Sequence, residues 1–247
     1  MAGHSHSANI AVRKGKQDAA RAKLFSKLSR YIIIAARAGG GDPDTNLRLR
    51  YAIDKARAVS MPKDNIERAV KKGTGELEGE NYEEITYEGY GPGGVAVMVE
   101  TLTEKRTRTN GEVRLVFDKA NGNMGTPGCV GYLFERKGLF LVDAKKYPDE
   151  DAVMTAALEA AADDFQKVGE VYEIVCEPSK FEAVQSALTA AGYETLEAEV
   201  KNLAKTLVTV DVETGKKVMK LIDALDALDD VQNVYTNADI TEELVAE

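Results

Sequence analysis

The segment between Gly39 and Gly75 most constrains the fold, because its apolar residues recur with the period of an α-helix between glycine-rich stops. The first of two predicted helices turns one face to a core, made of Leu49, Ala52, Ile53, Ala56, Val59 and Ser60. The second helix begins near Pro62, whose fixed φ suits a first helical turn, and ends at Gly73-Thr74-Gly75. Its predicted buried face consists of Ile66, Ala69 and Val70.

Cations flank the apolar face of the first helix on both sides. Arg48 with Lys55, and Arg50 with Arg57, are seven residues apart and form two rows. Asp54 is the only acid among them, so ion pairs within the helix do not account for these charges. We therefore predict that both rows contact phosphate groups.

The charges of the second helix leave two interpretations open. Asp64 with Arg68, and Glu67 with Lys71, have the i,i+4 spacing of ion pairs that stabilise a helix without any partner. The cations nearest its two ends, Lys63 and Lys72, are predicted to contact nucleic acid.

A longer helix is predicted over residues 18–37. Its apolar stripe comprises Leu24, Leu28, Tyr31, Ile32 and Ala35. A row on the opposite side comprises Lys16, Lys23, Arg30 and Arg37, seven residues apart, with Lys27 beside them. We expect this row to point away from the core and to be free for phosphates. Residues 1–17, which include Arg13 and Lys14, are predicted to form a flexible basic arm.

Basic and acidic residues are segregated along the chain. Residues 1–75 contain 16 Lys and Arg against 6 Asp and Glu, a net charge of +10, whereas residues 76–247 have a net charge of −19. This distribution is typical of a polyanion-binding module attached to a body that does not bind polyanions. The predicted nucleic-acid contacts are Arg13, Lys14, Lys16, Lys23, Lys27, Arg30, Arg37, Arg48, Arg50, Lys55, Arg57, Lys63 and Lys72.

Downstream of Gly75 the pattern indicates mixed α and β structure. Residues 85–90 and 95–102 are β-rich runs joined by Gly-Pro-Gly-Gly, which predicts a hairpin, and residues 106–120 predict a helix. Residues 138–200 give the order strand, helix, two strands, helix, strand, which is that of the ferredoxin-like split βαβ fold. A last strand, helix and strand over residues 207–235 are expected to join the sheet begun at residue 85.

The chain resembles the YebC/PmpR family from end to end. The resemblance rests on Met1-Ala2-Gly3-His4-Ser5, Ala8-Asn9-Ile10, Arg13-Lys14, GGGDP at 39–43, MPKDNIERA at 61–69, GTGEL at 73–77, YEGYGPGGVAV at 87–97 and YLFERKG at 132–138. It implies a helical domain and an α+β domain into which a ferredoxin-like domain is inserted. Pattern and resemblance together predict a multidomain α and α+β protein with an N-terminal three-helix basic domain.

Three domains are predicted within these bounds. Residues 1–78 form the basic helical domain with its arm, residues 79–132 and 206–247 form an α+β domain, and residues 133–205 form the inserted ferredoxin-like α+β domain. We expect residues 1–75 alone to bind nucleic acid and residues 79–247 not to bind it.

The acidic part offers little catalytic chemistry. Gly89, Gly91 and Gly94 match the GxGxxG phosphate-loop pattern, but a strand is predicted to follow where a dinucleotide site needs a helix. Both histidines, His4 and His6, lie in the arm, which leaves the rest of the chain without an imidazole base or metal ligand. We expect no enzymatic activity, cofactor, metal or small-molecule substrate.

The cysteines and the hydropathy indicate the compartment. Cys129 and Cys176 lie far apart without CxxC spacing, as is usual for reduced thiols. No apolar run approaches the length of a membrane span, and the N-terminus lacks the apolar stretch of a signal peptide. We expect a soluble cytoplasmic protein without a membrane partner.

The resemblance implies a non-enzymatic, nucleic-acid-binding regulator of gene expression, since the family is catalogued as DNA-binding transcriptional regulators. Members are also described as ribosome-associated, RNA-binding translation factors that assist synthesis through proline-rich stretches, and this is the alternative. The expected partner is therefore DNA, or rRNA or tRNA on the ribosome. A scaffold whose basic domain binds an acidic protein is a third class.

Overall fold

The computed structural model describes residues 21–79 and 81–240. These residues form two compact units: the first comprises residues 21–79, 81–131 and 216–236, and the second comprises residues 132–215 and 237–240. In chain order the elements are α1 (Arg21–Gly39), α2 (Leu47–Ala58), α3 (Lys63–Thr74), β1 (Glu83–Tyr90), β2 (Ala96–Thr103), α4 (Arg106–Lys119), β3 (Asn123–Met124), β4 (Phe134–Asp143), α5 (Glu150–Glu159), β5 (Asp164–Val168), β6 (Val171–Cys176), α6 (Phe181–Ala190), β7 (Thr195–Ala204), β8 (Val208–Thr209), α7 (Val212–Asp226), β9 (Val231–Thr236) and β10 (Ala238–Asp239).

The first three helices pack around one apolar core. Its buried residues are Leu28, Ile32, Ile33, Ala35, Ala36, Leu49, Ala52, Ile53, Ala56, Met61, Ile66 and Ala69. A Cβ atom on Gly73 of α3 would lie 2.6 Å from the Cβ of Ala36, so the missing side chain lets α3 approach α1 closely. The three predicted helices and most of their predicted apolar stripes are confirmed.

The ends of the short helices follow from local chemistry. Asn46 caps α2, because its Oδ1 accepts the N–H of Leu49 at 3.1 Å. Gly75 ends α3 in the left-handed conformation, with φ of 83°. Ser60, predicted on the buried face of α2, is exposed beyond the helix end with φ of 60°. Helix α2 ends at Ala58, before the predicted buried face does, so the prediction that Ser60 belongs to this face is wrong.

The first unit also contains a four-stranded antiparallel sheet in the order β3-β1-β2-β9. Strands β1 and β2 form the predicted hairpin, with Tyr90 opposite Ala96, and the turn is a short 3-10 segment over Pro92–Gly94. The GxGxxG pattern therefore lies in a strand-turn-strand, as predicted, and no helix follows it to receive a phosphate. Val99 of β2 pairs with Val234 of β9, which confirms that the last strand returns to this sheet.

The second unit confirms the ferredoxin-like order. Its sheet runs β5-β6-β4-β7, all antiparallel, with α5 and α6 as the two crossover helices. Phe140 of β4 stacks on Phe181 of α6 with ring centroids 4.6 Å apart, so the helices cover one face of the sheet.

The strand predicted over residues 207–212 does not join the sheet of the first unit. Only Val208 and Thr209 are extended, and they pair in parallel with Ala238 and Asp239. Short apolar runs specify extended backbone without specifying a partner strand.

None of the helices in residues 21–79 and 81–240 combines the length and apolar character that crossing a bilayer requires.

Candidate nucleic-acid interface

The row of cations on α1 faces the C-terminal part of the first unit. Lys23 Nζ lies 3.1 Å from a carboxylate oxygen of Asp229 and also donates to the carbonyl oxygen of Ala227. Lys27 Nζ donates to the carbonyl oxygen of Asp226 at 3.0 Å. The expectation that this row points away from the core, free for phosphates, is wrong for these residues. Their acceptors lie about two hundred residues later in the chain, where no local pattern could reveal them.

Arg30, from the same row, ends on a buried carboxylate. Its Nη1 lies 2.9 Å from Oδ1 of Asp230, whose other oxygen accepts from Arg108 at 2.6 Å, Thr109 at 2.7 Å and Thr103 at 3.0 Å. Burial alone would raise the pKa of Asp230, but the hydrogen bonds from Arg108, Thr109 and Thr103 outweigh it and lower the pKa. Asp230 is therefore an ionised hub that joins α1, β2 and α4.

Two cations of α2 are also anchored within the chain. Arg48 Nη2 lies 2.6 Å from a carboxylate oxygen of Glu84, and its guanidinium lies 5.3 Å from the ring centroid of Tyr31. Arg50 donates from Nε and Nη2 to two carbonyl oxygens of the α1–α2 connection, both at 3.0 Å. As predicted, Arg48 has no described ion-pair partner within α2, but it has one in β1.

Other predicted cations are exposed. Arg37 lies in the last turn of α1, and Lys55 and Arg57 lie in the last turn of α2. Arg57 lies 3.5 Å from a carboxylate oxygen of Asp54. An exposed ion pair of this length contributes roughly 0 to 1 kcal/mol, so a phosphate can replace the carboxylate at little cost.

The ion pairing on α3 differs from the predicted one. Lys63 pairs with Glu67 at 3.4 Å, also in an exposed position. Arg68 and Lys71, predicted to pair with acids four residues earlier, are exposed and form no ion pair within residues 21–79 and 81–240. Lys72 is half-buried. Arg48 and Arg50 are thus anchored within the chain, whereas Arg68 and Lys71 are exposed and have no ion pair among the described residues.

The exposed cations of the two short helices define the α2–α3 cation surface: Lys55, Arg57, Lys63, Arg68 and Lys71. Arg57 and Lys63 flank the four-residue connection between α2 and α3. Three exposed acids, Asp54, Asp64 and Glu67, lie on the same helices. With five cations against three acids, the surface has a net positive charge. The predicted contacts Arg13, Lys14 and Lys16 lie outside the described residues.

A second anion-binding arrangement is already filled by the chain itself. The carboxylate of Glu88 accepts backbone N–H groups of Gly128 and Val130, each at 2.8 Å, and of Gly131 at 2.6 Å. Burial would raise the pKa of Glu88, but these three hydrogen bonds lower it. The glycine-rich loop before β4 therefore has its N–H groups occupied and is not a phosphate loop.

The thiols are unsuited to nucleophilic chemistry. Burial, with the nearby charges of Asp163 and Glu177, raises the pKa of Cys176 to about 11. Burial and the charge of Glu88 also raise the pKa of Cys129. Neither thiol is in a disulfide, and because their pKa values are raised, both are protonated at neutral pH. In the described part of the chain, no group of three or more His, Cys, Asp or Glu side chains could hold a metal ion.

Comparison with known proteins gives consistent matches along the chain. A family model described as the TACO1/YebC protein N-terminal domain matches residues 5–76, and one described as the TACO1/YebC second and third domain matches residues 82–238. Proteins named "Probable transcriptional regulatory protein" are similar at 50% identity in Desulfatibacillum aliphaticivorans, over all of both chains, and at 52% in Nitrosococcus oceani, over 100% of this chain and 99% of the relative. The crystal structure of a conserved hypothetical protein from Aquifex aeolicus is 50% identical, with a TM-score of 0.84 over 93% of this chain and 95% of that one.

Proposed function

Because the chain belongs to the TACO1/YebC family, we propose that it regulates gene expression by binding nucleic acid through its N-terminal helical domain. The names of its relatives support transcription as the regulated process. The proposal places the protein in the cytoplasm, where bacterial nucleic acid lies, and assigns it no enzymatic role, in keeping with its protonated thiols.

The α2–α3 cation surface is the observation that carries this proposal. Its five cations are exposed and make at most long, exposed ion pairs with described residues, apart from additional contacts of Lys55. A phosphate can replace the exposed carboxylate contacts of Arg57 and Lys63 or bind Arg68 and Lys71 directly, and each such contact releases a counterion. We include Arg37 and the arm cations Arg13, Lys14 and Lys16 in the proposed interface.

The anchored cations are assigned a different role. Lys23, Lys27, Arg30, Arg48 and Arg50 are engaged by carboxylates or carbonyl oxygens of the same unit. For Arg30, Lys27 and Arg50, a phosphate would have to displace a buried carboxylate or part-buried carbonyl contacts, at a larger cost than on an exposed surface. Lys23 and Arg48 pair with exposed carboxylates, but these pairs link α1 and α2 to residues outside the three helices. We therefore assign these five residues to the fold of the first unit.

Removal of three surface cations tests the proposal directly. The variant Arg57→Ala/Arg68→Ala/Lys71→Ala should bind a duplex DNA and a hairpin RNA more weakly than the original chain. The slope of log affinity on log salt should fall by roughly 0.7 to 0.9 for each phosphate that is no longer neutralised. Thermal stability should change little, since exposed cations contribute roughly 0 to 1 kcal/mol each.

Two control variants distinguish loss of a binding surface from a general loss of positive charge and from a loss of stability. Lys180→Ala/Lys205→Ala/Lys220→Ala removes three exposed cations outside the interface and should leave the salt slope unchanged. Arg48→Ala should lower the melting temperature while the salt slope is kept. Equal salt slopes for the surface and control triples would show that the α2–α3 cation surface does not contact nucleic acid.

Crosslinking in cells, followed by sequencing of the bound nucleic acid, identifies the process that is regulated. Enrichment of promoter DNA is the expected result for a transcriptional regulator. Dominant recovery of rRNA or tRNA would contradict the transcriptional part of the proposal and leave nucleic-acid binding intact.

A further inference from the structure

Helix α4 carries cations within an otherwise acidic part of the chain. Residues 105–119 contain Lys105, Arg106, Arg108, Arg114 and Lys119 against two acids, a net charge of +3. The other residues between 76 and 247 have a net charge of −22. Helix stability does not require this concentration, because the cations occur in the first turn as well as the last, where only the last is favoured by the helix dipole.

The helix presents these cations to solvent. Its buried residues are Thr109, Val113 and Phe117, which line one side. Lys105, Arg106, Arg114 and Lys119 are exposed, and none of their charged groups forms an ion pair within residues 21–79 and 81–240. Arg108 differs, since it is held by Asp230. Four cations therefore have charge available for an external partner.

A glycine interrupts the exposed face of α4. Gly111 lies in the helix interior, where glycine is less stable than alanine, and it is exposed. Apart from its two chain neighbours and the local helix backbone, a Cβ atom at this position would meet no described atom within 4 Å, and its φ does not require glycine. The fold thus gives no reason for the missing side chain. A bare backbone beside Arg114 and Thr107, one turn away on each side, allows close approach of another chain.

This face adjoins the basic helical domain. The two oxygens of Asp230 accept from Arg30 of α1 at 2.9 Å and from Arg108 of α4 at 2.6 Å. Two helices that bring their guanidinium groups to one carboxylate lie side by side at that point. Cations on α4 can therefore extend a surface that begins on the helical domain.

We infer that the exposed face of α4 is a second phosphate-binding surface, which continues the nucleic-acid interface from the helical domain onto the α+β part. Arg106 and Arg114, with Lys105 and Lys119, contact phosphates of the bound strand. Gly111 lets the sugar-phosphate backbone approach the helix beside Arg114. The inference rests on the proposed function and extends it to a part of the chain that its overall charge would exclude.

Two substitutions at Gly111 separate a binding role from a structural one. Gly111→Ala and Gly111→Gln should both raise the melting temperature or leave it unchanged, because the site is open and both residues favour helix. Gly111→Gln should also lower the affinity for duplex DNA or hairpin RNA several-fold, since its side chain occupies the approach. A lower melting temperature together with unchanged affinity would overturn the inference.

Charge removal gives an independent measurement. Arg106→Ala/Arg114→Ala should lower the slope of log affinity on log salt by roughly 0.7 to 0.9 for each phosphate released, whereas Lys205→Ala/Lys220→Ala should not change it. The α4 surface is refuted if Arg106→Ala/Arg114→Ala has the same salt slope as this control while the α2–α3 triple variant binds more weakly. In that case the proposed interface on the α2–α3 cation surface is kept. If the unsubstituted chain binds neither probe, the proposed function fails and this inference fails with it.

Discussion

Asp230 shows how one carboxylate can determine the role of several cations. It is 1% exposed, and it accepts hydrogen bonds from two guanidinium groups and two hydroxyl groups. An ionised carboxylate with so many donors stabilises the fold only while every partner is present, because removal of any partner leaves a buried charge or donor uncompensated. The arginines that contact it are therefore structural residues, although the sequence presents them like their exposed neighbours.

At the residue scale, we predict that Asp230→Asn destabilises the chain by roughly 3 to 5 kcal/mol, as expected when one partner of a buried ion pair is removed. Asp229→Asn is the matched control, because Asp229 is exposed and its pair with Lys23 is worth roughly 0 to 1 kcal/mol. Urea denaturation of both variants measures the difference. Similar midpoints for the two variants would contradict the role of Asp230 as a hub.

Because of Asp230, we expect the stability of the fold to depend on pH. The folded-state pKa of Asp230 is lowered, so its contribution to stability is complete above the unfolded value of roughly 3.9 and is lost as the pH falls through the folded value. The melting temperature of the original chain should therefore drop on acidification below about pH 4, and Asp230→Asn should show a smaller drop.

At the scale of elements, Asn46 fixes the junction of two helices. Its Oδ1 caps α2 through the N–H of Leu49, while its Nδ2 donates to the carbonyl oxygens of Ala35 and Gly40, each at 2.8 Å. The side chain thus joins the first turn of α2 to the last turn of α1. A Cβ atom on Gly39 would lie 2.8 Å from this side chain, which explains the glycine there.

We predict that Asn46→Ala costs roughly 2 to 3 kcal/mol, the sum of a removed cap and of buried carbonyl oxygens left without a donor. Asn46→Asp keeps the cap but removes the donor, so it should fall between the original chain and the alanine variant. Circular dichroism melting curves give this order. An aspartate variant less stable than the alanine variant would show that repulsion between its carboxylate and the carbonyl oxygens of Ala35 and Gly40 outweighs the cap.

At the scale of the whole molecule, the charge boundary near residue 75 is not a structural boundary. Lys23, Lys27 and Arg30 contact residues 226–230, and Tyr82 packs against the helical core. The three helices and the rest of the first unit therefore share both ionic and apolar contacts. The three-domain division at residues 1–78, 79–132 with 206–247, and 133–205 stays a prediction.

These contacts predict how fragments behave. Residues 1–79 expressed alone should melt at a lower temperature than the full chain, because Lys23, Arg30 and Arg48 no longer have their acceptors and the core no longer includes Tyr82. A fragment of residues 1–86 restores Tyr82 and Glu84 and should recover part of the stability. Calorimetry on the two fragments and the full chain measures the order, and equal melting temperatures would show that the helices fold independently of the rest.

The sequence by itself determined the local features of this protein. Helical periods, glycine stops, the β1–β2 hairpin and the order of strands and helices along the ferredoxin-like unit all follow from residues close together in the chain, where spacing alone specifies which side chains share a face. The segregation of basic and acidic residues is likewise found by counting them along the chain.

Only the tertiary structure decided which cations contact distant parts of the chain. Arg30 and Arg37 repeat on the same helix with the same spacing, yet Arg30 reaches Asp230 across two hundred residues and Arg37 is exposed. Glu84 engages Arg48 in the same way, and Gly111 reveals its open surroundings only when the rest of the chain is in place. The physical reason is that a charge is neutralised by whatever lies within a few ångström in space, and a single sequence does not state which distant residues those are.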